Sequence, residues 1–236
     1  MISVCMATYN GASYIKQQIE SILSQLGEND ELIISDDLST DDTVRMILEF
    51  RDDRIKLVEG KKQGIIKNFE NALKAASGDY IFLSDQDDVW ISGKVDAVID
   101  LFELNNDISL VVTDCKVVDN CLNDIYPSYF KIRNSSSGFI KNLYKGGFHG
   151  CCMCFNKKVL NKSLPFPDNI PMHDWWIGLV AEMEGKTLFL NKPYLLYRRH
   201  GFNASSASEN SKNSFWIMLK SRFILFMHIV KRYYFS

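Results

Sequence analysis

The stretch of sequence that decides the fold is an apolar run ending in acidic residues, Asp79-Tyr80-Ile81-Phe82-Leu83-Ser84-Asp85-Gln86-Asp87-Asp88. Its apolar part has the length and composition of a buried β-strand. The three carboxylates that follow it repel one another unless a positive charge lies among them. Mg2+ and Mn2+ prefer oxygen ligands and commonly bridge carboxylates to substrate phosphates. The stretch therefore predicts a metal–diphosphate site at a strand end, with a solvated acidic turn as the alternative.

Further strands and helices alternate on either side of this stretch. Apolar residues at helical spacing predict helices that end near Gly27, Gly78 and Leu104. Short apolar runs predict strands at Ile2–Ala7, Glu31–Ser35, Arg54–Val58 and Ile108–Thr113. This alternation indicates an α/β fold with a Rossmann-like, mainly parallel central sheet and helices on both faces. Ligands bind such sheets beyond the carboxyl ends of the strands, so polar residues that follow the strands are expected to meet at one edge.

Polar residues do follow the first two predicted strands. Tyr9 and Asn10 come after the first, and the pair Asp36-Asp37 comes after the second. An aspartate at this position can accept hydrogen bonds from a pyrimidine N–H and from ribose hydroxyls. The same segment also makes an ordinary helix N-terminus, with Ser39 or Thr40 as N-cap. Capping and nucleotide contact therefore both remain open for this pair.

Two motifs of the less regular second half also carry reactive side chains. His173-Asp174 opens a predicted aromatic-rich helix to about Gly185, where a carboxylate stays ionised and can act as a general base or simply as a cap. Tyr197-Arg198-Arg199-His200-Gly201-Phe202-Asn203 offers cations for a diphosphate and an imidazole for a metal, although paired arginines are more often a surface feature.

The structure of the other segments in the second half is predicted from their amino-acid composition. Residues 120–148 are rich in Asn, Ser, Gly, Tyr and Lys, which is typical of loops that build a binding site. Strands are predicted at 150–156, 187–190 and 194–198, and a polar loop at 201–213. Cys151, Cys152 and Cys154 lack the spacing of a zinc knuckle and are interpreted as small residues on a strand.

Composition narrows the functional class. The 236 residues suit one domain, and a hydrophobic fraction of 46% with 24% charged residues is typical of a globular protein. A formal net charge of -2 argues against a nucleic-acid partner. Met1–Ala7 shows neither a basic lead nor a long apolar stretch, so no secretory signal and a cytoplasmic location are expected.

The motifs in their order resemble the family 2 inverting glycosyltransferases. The resemblance lies in Ser3-Val4-Cys5-Met6-Ala7-Thr8-Tyr9-Asn10-Gly11, in Ser35-Asp36-Asp37-Leu38-Ser39-Thr40-Asp41, and in Gly78 to Trp90, and it extends to about Asn203. The Asp-Gln-Asp-Asp-Val-Trp and Tyr-Arg-Arg-His forms are most similar to bacterial polysaccharide transferases, including rhamnosyltransferases. Several motifs in the right order are far more specific than any one of them.

This resemblance implies a GT-A fold, a site and a reaction. The implied nucleotide-binding residues are Thr8, Tyr9, Asn10, Asp36, Asp37, Gln63, Lys67, Asn68, Asp85 and Gln86. The implied ligands of Mg2+ or Mn2+ are Asp85, Asp87, Asp88 and His200. Asp174 takes the place of the catalytic aspartate, although His173 stands where many members have Glu. The implied reaction is a single inverting displacement from a UDP- or dTDP-sugar, with dTDP-rhamnose favoured by the resemblance alone.

Two other functions remain open at this stage. A non-catalytic nucleotide-sugar-binding protein would keep the fold without turnover, and the presence of Asp174 with Asp85 and Asp87 speaks against it. A nucleotidyltransferase also uses carboxylates and Mg2+. Such an enzyme would normally carry a basic residue in its N-terminal phosphate loop, which Ala7-Thr8-Tyr9-Asn10-Gly11 lacks.

The C-terminal segment is apolar and aromatic, and all its charges are basic. Its longest uncharged run, Phe223 to Val230, is too short to span a bilayer. Such a helix is typical of peripheral contact with the inner face of an anionic cell membrane, where a saccharide or lipid-linked acceptor would be found. Packing on the domain or on a second subunit is the alternative. The expected organisation is a nucleotide-sugar half (1–113), an acceptor and catalytic half of the same domain (114–211) and this helix (212–236).

Overall fold

The computed structural model describes residues 1–200 and 215–235, leaving aside the side chains of residues 215–217. Its first half is a parallel sheet in the spatial order β3-β2-β1-β4. These strands are β1 (Ile2–Thr8), β2 (Glu31–Asp36), β3 (Ile55–Glu59) and β4 (Tyr80–Asp85). All six residues of β2 are buried, which explains why the parallel strands read as continuous apolar runs. The predicted strands and their parallel pairing are confirmed.

Helices connect these strands, as predicted. They are α1 (Ile15–Leu23), α2 (Thr43–Leu48), α3 (Ile65–Lys74) and α4 (Lys94–Leu104). The expected N-cap of α2 is wrong, because Asp42 occupies that position and makes no side-chain capping bond. The Ser39 hydroxyl instead donates to Asp36 at 2.5 Å, and the Thr40 N–H donates to the Asn10 side chain at 2.8 Å. These residues fasten the first two strand ends to each other.

The second half extends the sheet with mixed pairing. Its strands are β5 (Val89–Trp90), β6 (Ile108–Val118), β7 (Asp124–Tyr126), β8 (Met153–Asn156) and β9 (Lys186–Arg198). β8 runs antiparallel to both β4 and β6, whereas β9 runs parallel to β6. The expected boundary at residue 113 falls inside β6, so both halves share one continuous sheet.

β9 is one bulged strand where two short strands were predicted. Leu190 pairs with Thr113, and the next pair along is Pro193 with Asp114, so Asn191 and Lys192 are extra residues on β9. Proline has no N–H to give to a ladder, and such residues are confined to edges and bulges. The interruption between the two predicted strands, at Pro193, is therefore a bulge within one strand.

The remaining helices follow β7, and the last of them lies at the C-terminus. They are α5 (Tyr129–Arg133), α6 (Phe139–Lys145), α7 (Lys157–Ser163), α8 (His173–Glu184) and α9 (Phe215–Tyr234). Residues 120–148, expected as loops, thus contain β7, α5 and α6, and Gly150–Cys152 is a 3-10 turn before β8. The polar loop predicted at 201–213, including Phe202 and Asn203, lies outside the described residues. Within the described ranges, no helix is both long and apolar enough to cross a bilayer.

Candidate functional site

A cleft of about 570 Å³ opens beyond the carboxyl ends of β1 and β4. Both strands run parallel in one sheet, so the residues after them emerge at the same edge. The sequence-predicted residues that line this cleft are Thr8, Tyr9, Asp37, Asn68, Asp85, Gln86, Asp87 and Asp174. The predicted residues that do not line it are Asn10, Asp36, Gln63, Lys67, Asp88 and His200.

The wall after β1 is held by buried polar side chains. The Thr8 hydroxyl donates to Asp36 at 2.9 Å, and the Asn68 amide donates to the Thr8 carbonyl at 3.0 Å. Ser35 in turn donates to Asn68 at 2.6 Å. Asp36 is thus a support behind the cleft, whereas Asn68 both supports Thr8 and reaches the cleft surface.

Gln86 joins the acidic strand end to the loop after β1. Its side chain accepts from the Tyr9 N–H at 3.0 Å and donates to the Tyr9 carbonyl at 3.1 Å. Gly11 lies so close that a Cβ there would meet the Gln86 Oε1 at 2.2 Å. Tyr9 itself remains 46% exposed, which leaves its ring available to a ligand.

Asp37 is fixed by backbone donors at the start of α3. It accepts from the N–H of Gly64 at 2.8 Å and of Gln63 at 3.2 Å. Gln63 therefore contacts the site residue Asp37 through its backbone N–H. Lys67 lies outside the cleft, where its ammonium pairs with Glu70 at 2.8 Å.

The acidic cluster divides into two cleft residues and one buried residue. Asp85 and Asp87 line the cleft, whereas Asp88 is 0% exposed and accepts from the backbone N–H of Arg198 at 3.0 Å. Burial and the charges of Asp87 and Asp174 raise the pKa of Asp85 to about 8. Burial with the charges of Asp87 and Asp85 raises the pKa of Asp88 well above its usual range. A cation among these carboxylates would relieve that repulsion.

His200 lies against this cluster. Its Nε2 is 2.8 Å from the Asp87 carboxylate, and its ring stacks on Tyr14 with centroids 4.8 Å apart. The neighbouring Arg198 guanidinium donates to the backbone carbonyl of Asp87 at 2.8 Å and to Gln17 at 2.7 Å. Arg198 at the end of β9 and His200 just after it therefore both contact Asp87.

The carboxylates fit a hard divalent cation. Oxygen ligands from one short turn are what Mg2+ and Mn2+ prefer. The second oxygen of Asp88 is buried and has no hydrogen-bond partner among the described residues. Ligand atoms of Asp85, Asp88 and Cys151 also lie within 4.8 Å of one another. Like-charge crowding with an unsatisfied oxygen is a reason to expect a cation here.

Asp174 lines the same cleft from the first turn of α8. One of its oxygens accepts from the Gly150 N–H at 3.2 Å, and the other accepts from the Trp175 N–H at 2.6 Å. These two donors fix the orientation of the carboxylate, and a carboxylate is a type of group that can act as a general base. Its charge is among the causes of the raised pKa of Asp85.

His173 is a packing residue beside this carboxylate. Its ring stacks on Phe69 with centroids 4.0 Å apart, and neither ring nitrogen has a hydrogen-bond partner among the described residues. Burial lowers the pKa of His173 to about 4, although the Asp174 charge opposes this shift. The imidazole is therefore neutral near pH 7 and presents a flat surface to the cleft.

Several lining residues were not singled out from the sequence as site residues. His149 and Gly150 reach the cleft from the turn before β8, and Tyr197 reaches it from the end of β9. Lys62, Gly64, Ile65 and Met172 also line it. The glycine-rich segment Gly146-Gly147-Phe148-His149-Gly150 was the available signal, because close backbone approaches favour glycine.

Comparison with known proteins identifies relatives of this chain. The sequence profile described as Glycosyl transferase family 2 matches residues 3–164. The chain is 30% identical to the dTDP-rhamnosyl transferase RfbG of Shigella flexneri over 230 residues, covering 88% of this chain and 75% of that protein. It is 37% identical over 212 residues to the UDP-Glc:alpha-D-GlcNAc-diphosphoundecaprenol beta-1,3-glucosyltransferase WfgD of Escherichia coli, covering 89% of this chain and 80% of that protein.

Solved structures show the same fold at lower sequence identity. Residues 1–349 of S. aureus TarS in complex with UDP-GlcNAc superpose with a TM-score of 0.75 at 19% identity, covering 96% of this chain and 66% of that one. The mannosyltransferase PcManGT from Pyrobaculum calidifontis, in complex with GDP-Man and Mn2+, gives a TM-score of 0.63 at 19% identity, covering 84% and 56%. The chain thus spans about two thirds or less of these structures.

Proposed function

Because this chain belongs to glycosyl transferase family 2, we propose that it transfers a sugar from a nucleotide-diphosphate donor to a hydroxyl of a saccharide or lipid-linked acceptor during synthesis of a bacterial surface polysaccharide. The observation that carries this proposal is the cleft itself, which Asp85, Asp87 and Asp174 line together. A volume of about 570 Å³ is in the range of small-molecule sites.

The donor side is assigned to the loop after β1 and the start of α3. Thr8, Tyr9, Asp37 and Asn68 line this part of the cleft and would hold the base and ribose. Asn10, Asp36, Gln63 and Lys67 are assigned supporting roles, since none of them lines the cleft. Gln86 keeps the Tyr9 backbone in place through its paired hydrogen bonds.

Asp85 and Asp87, with His200 against Asp87, would hold Mg2+ or Mn2+ beside the donor diphosphate. Asp88, whose second oxygen is buried and unpaired among the described residues, would be a further ligand. When bound, such a cation offsets negative charge on the departing nucleoside diphosphate.

Asp174 is assigned the proton transfer. Its ionised carboxylate would accept the acceptor hydroxyl proton as that oxygen bonds to the anomeric carbon and the bond to the diphosphate breaks. A single displacement of this kind inverts the anomeric configuration and needs no nucleophilic side chain.

The donor is proposed to be a pyrimidine nucleotide sugar. The names of the two relatives specify dTDP-rhamnosyl and UDP-Glc transfer, and uracil and thymine offer the same hydrogen-bonding edge. The choice between the two is left to measurement, with dTDP-rhamnose as the first donor to test.

Calorimetry of UDP, dTDP and GDP binding, with and without Mn2+, tests the donor site. Metal-dependent binding of one pyrimidine diphosphate that is lost in Asp87→Asn would support it, with the exposed Asp96→Asn as matched control. Transfer with the matching nucleotide sugar would then follow. Absence of diphosphate binding in either condition would overturn the proposal, and pyrophosphate release from a nucleoside triphosphate would favour a nucleotidyltransferase.

We further propose that the enzyme works at the cytoplasmic face of an anionic membrane through an apolar patch on α6 and α9. One side of α9 packs on the domain, with Leu225 0% and Ile229 3% exposed. The exposed apolar residues that form the patch are Ile140, Tyr144, Leu219, Phe223, Phe226 and Met227. Neither helix contains an acidic residue, and Lys141, Lys145 and Lys220 lie on these two helices. Apolar surface on helices whose own charges are all basic suits an anionic lipid surface.

This patch adjoins the wall that carries Asp174. The indole N–H of Trp175 donates to the Asn142 carbonyl of α6 at 2.7 Å, and the Arg222 guanidinium of α9 lies 5.2 Å from the Trp175 ring centre. An acceptor held in the membrane would therefore approach from the side of the proposed base.

Vesicle co-sedimentation tests the patch. Anionic phosphatidylglycerol vesicles should retain the wild type, and Ile140→Ser/Phe223→Ser should reduce binding about tenfold or more, because both side chains are mostly exposed. Leu104→Ser, at a position 82% exposed elsewhere, is the control. Equal binding by the double variant, or a dimer in solution that the double variant abolishes, would contradict the membrane assignment.

A further inference from the structure

Three side chains of types that can bind a metal meet at the cleft wall, and none of them is part of the acidic cluster. They are Cys115 of β6, His149 and Cys152, and their ligand atoms lie within 4.8 Å of one another. Cys115 is 0% and Cys152 is 1% exposed, and both are free thiols. None of the three belongs to the donor, cation or base assignments above. Two sulfurs and an imidazole from separate segments converge here without forming a disulfide.

His149 has an unsatisfied nitrogen at this place. Its Nε2 is buried and has no hydrogen-bond partner among the described residues. Leaving such a group unpaired is unfavourable, because burial removes the water that would otherwise bond to it. The ring is nevertheless held firmly, since it stacks on Tyr129 with centroids 4.4 Å apart and meets the Tyr197 ring edge-on at 4.6 Å. The imidazole is thus fixed beside two thiols while one of its nitrogens lacks a partner.

We propose that Cys115, His149 and Cys152 bind one Zn2+ ion, at a site distinct from the hard-cation site of the acidic cluster. Two thiolates and an imidazole are a common zinc ligand set, and a fourth position would be left for water. Ligand atoms of a tetrahedral zinc site are separated by roughly 3.4–3.8 Å, given zinc–ligand distances of about 2.0–2.3 Å. Side chains already within 4.8 Å need only a small adjustment to reach that geometry.

Zinc binding to this site releases the thiol protons of its two cysteines. Each cysteine gives up its thiol proton to solvent as its sulfur bonds to the ion, so affinity rises with pH. His149 binds as the neutral imidazole and releases no proton. Because sulfur ligands select zinc over magnesium or manganese, the two proposed sites take different ions although they are close in space.

The site would position the proposed base. His149 and Gly150 both line the cleft, and the Gly150 N–H holds Asp174 at 3.2 Å. The Cys152 N–H also donates to the His149 carbonyl at 3.0 Å. An ion that joins this turn to β6 would therefore fix the donor that orients Asp174. The three ligands act on the reaction through another residue and are positioning residues.

Cobalt spectroscopy of the full chain tests the proposal without relying on activity. The protein is reduced, stripped of metal with a chelator and titrated with Co2+ in the absence of nucleotide. One equivalent should produce thiolate-to-cobalt charge-transfer absorption, and one equivalent of Zn2+ should abolish it, since zinc binds such ligands more tightly than cobalt. Excess Mg2+ should leave the band unchanged. Absence of the band in the wild type overturns the proposal and requires no variant.

Variants assign the ligands. Cys115→Ser, Cys152→Ser and His149→Ala should each weaken Co2+ binding at least about tenfold, whereas the exposed Cys121→Ser should bind as the wild type does. Asp87→Asn should retain the band, which separates this site from the acidic cluster. Circular dichroism of the metal-free variants checks that they fold. A band that persists in folded Cys115→Ser and Cys152→Ser would overturn the assignment even if nucleotide binding is confirmed.

Discussion

At the scale of single residues, the proposed chemistry depends on Asp174. Its two oxygens accept from different backbone N–H groups, so its orientation is set by α8 and by the turn at Gly150. Asp174→Asn keeps the shape and removes the basic oxygen. We expect kcat to fall about 10²–10⁴-fold, because general-base catalysis contributes on that scale. Steady-state transfer assays measure this loss.

Donor binding separates this role from a structural one. The nucleotide diphosphate Kd of Asp174→Asn, measured by calorimetry, should stay within about twofold of the wild type, because Asp174 is not among the proposed donor contacts. Asp100→Asn, at an exposed position of α4, is the matched control for kcat. An unchanged kcat in Asp174→Asn would remove this residue from the mechanism.

Gln86 is a second residue with a specific prediction. Gln86→Leu removes both hydrogen bonds to Tyr9, and we expect the nucleotide Kd to rise about tenfold, equivalent to about 1.4 kcal/mol. Gly11→Ala should have a similar effect, because its Cβ would occupy the position of the Gln86 amide. Gly27→Ala is the control. Wild-type affinity in both Gln86→Leu and Gly11→Ala would show that the Tyr9 loop is positioned otherwise.

At the scale of elements, α8 packs closely against Phe148, just before the His149–Gly150 turn, because residue 178 of the helix is a glycine. A Cβ on Gly178 would lie 2.3 Å from the buried Phe148 ring, next to His149. Gly178→Ala should lower the free energy of unfolding by about 1–2 kcal/mol, since overpacking outweighs the better helix propensity of alanine. Urea denaturation measures the change.

The control for the stability of Gly178→Ala is the variant Gly27→Ala. The nearest atom to that new Cβ is the Asp30 carboxylate at 3.3 Å, a contact that a shift of a few tenths of an ångström relieves, so stability should change by less than about 0.5 kcal/mol. Equal stability of Gly178→Ala and the wild type would mean that Phe148 repacks freely. Reduced transfer activity is also expected for Gly178→Ala, because Phe148 immediately precedes the His149–Gly150 turn.

At the scale of the whole molecule, Glu31 makes stability depend on pH. Its side chain is 2% exposed and joins β1, β3 and the turn before β4 by accepting from Ser3, Lys56 and Ser77. Burial alone would raise its pKa, but these donors lower the pKa of Glu31 to about 2. The carboxylate therefore contributes at most about 3 kcal/mol above pH 4.5, and this contribution is lost as pH falls toward 2.

Thermal unfolding between pH 7 and pH 3 tests this contribution. Glu31→Gln should be less stable than the wild type at pH 7, and the difference should shrink as pH falls below about 4.5, because the carboxylate then takes up a proton in the unfolded chain. Glu28→Gln, at an exposed position, should follow the wild-type curve. A stability difference that is constant with pH would show that charge at Glu31 is not responsible.

Prediction succeeded where the determinants are local. Buried parallel strands read as apolar runs, and turn and acidic residues directly follow them, so the first four strands and the edge carrying the Asp85 cluster were predicted. The α2 cap was missed because the Ser39 hydroxyl accepts from the Asn10 N–H and the Thr40 N–H donates to the Asn10 side chain, which are contacts between residues far apart in sequence. The β9 bulge was missed for a similar reason, because it depends on β6, a distant segment that pairs with β9 on both sides of the extra residues.

The amino-acid sequence is sufficient for the fold class, the family and the residue types of the site, because these follow from short-range patterning and motif order. Tertiary structure alone separates Asp87 in the cleft from Asp88 behind it, although the two are adjacent in the chain. It also brings His149 to Cys115 and Gly150 to Asp174. Such placements depend on how distant segments pack and exclude water, and no local pattern encodes them.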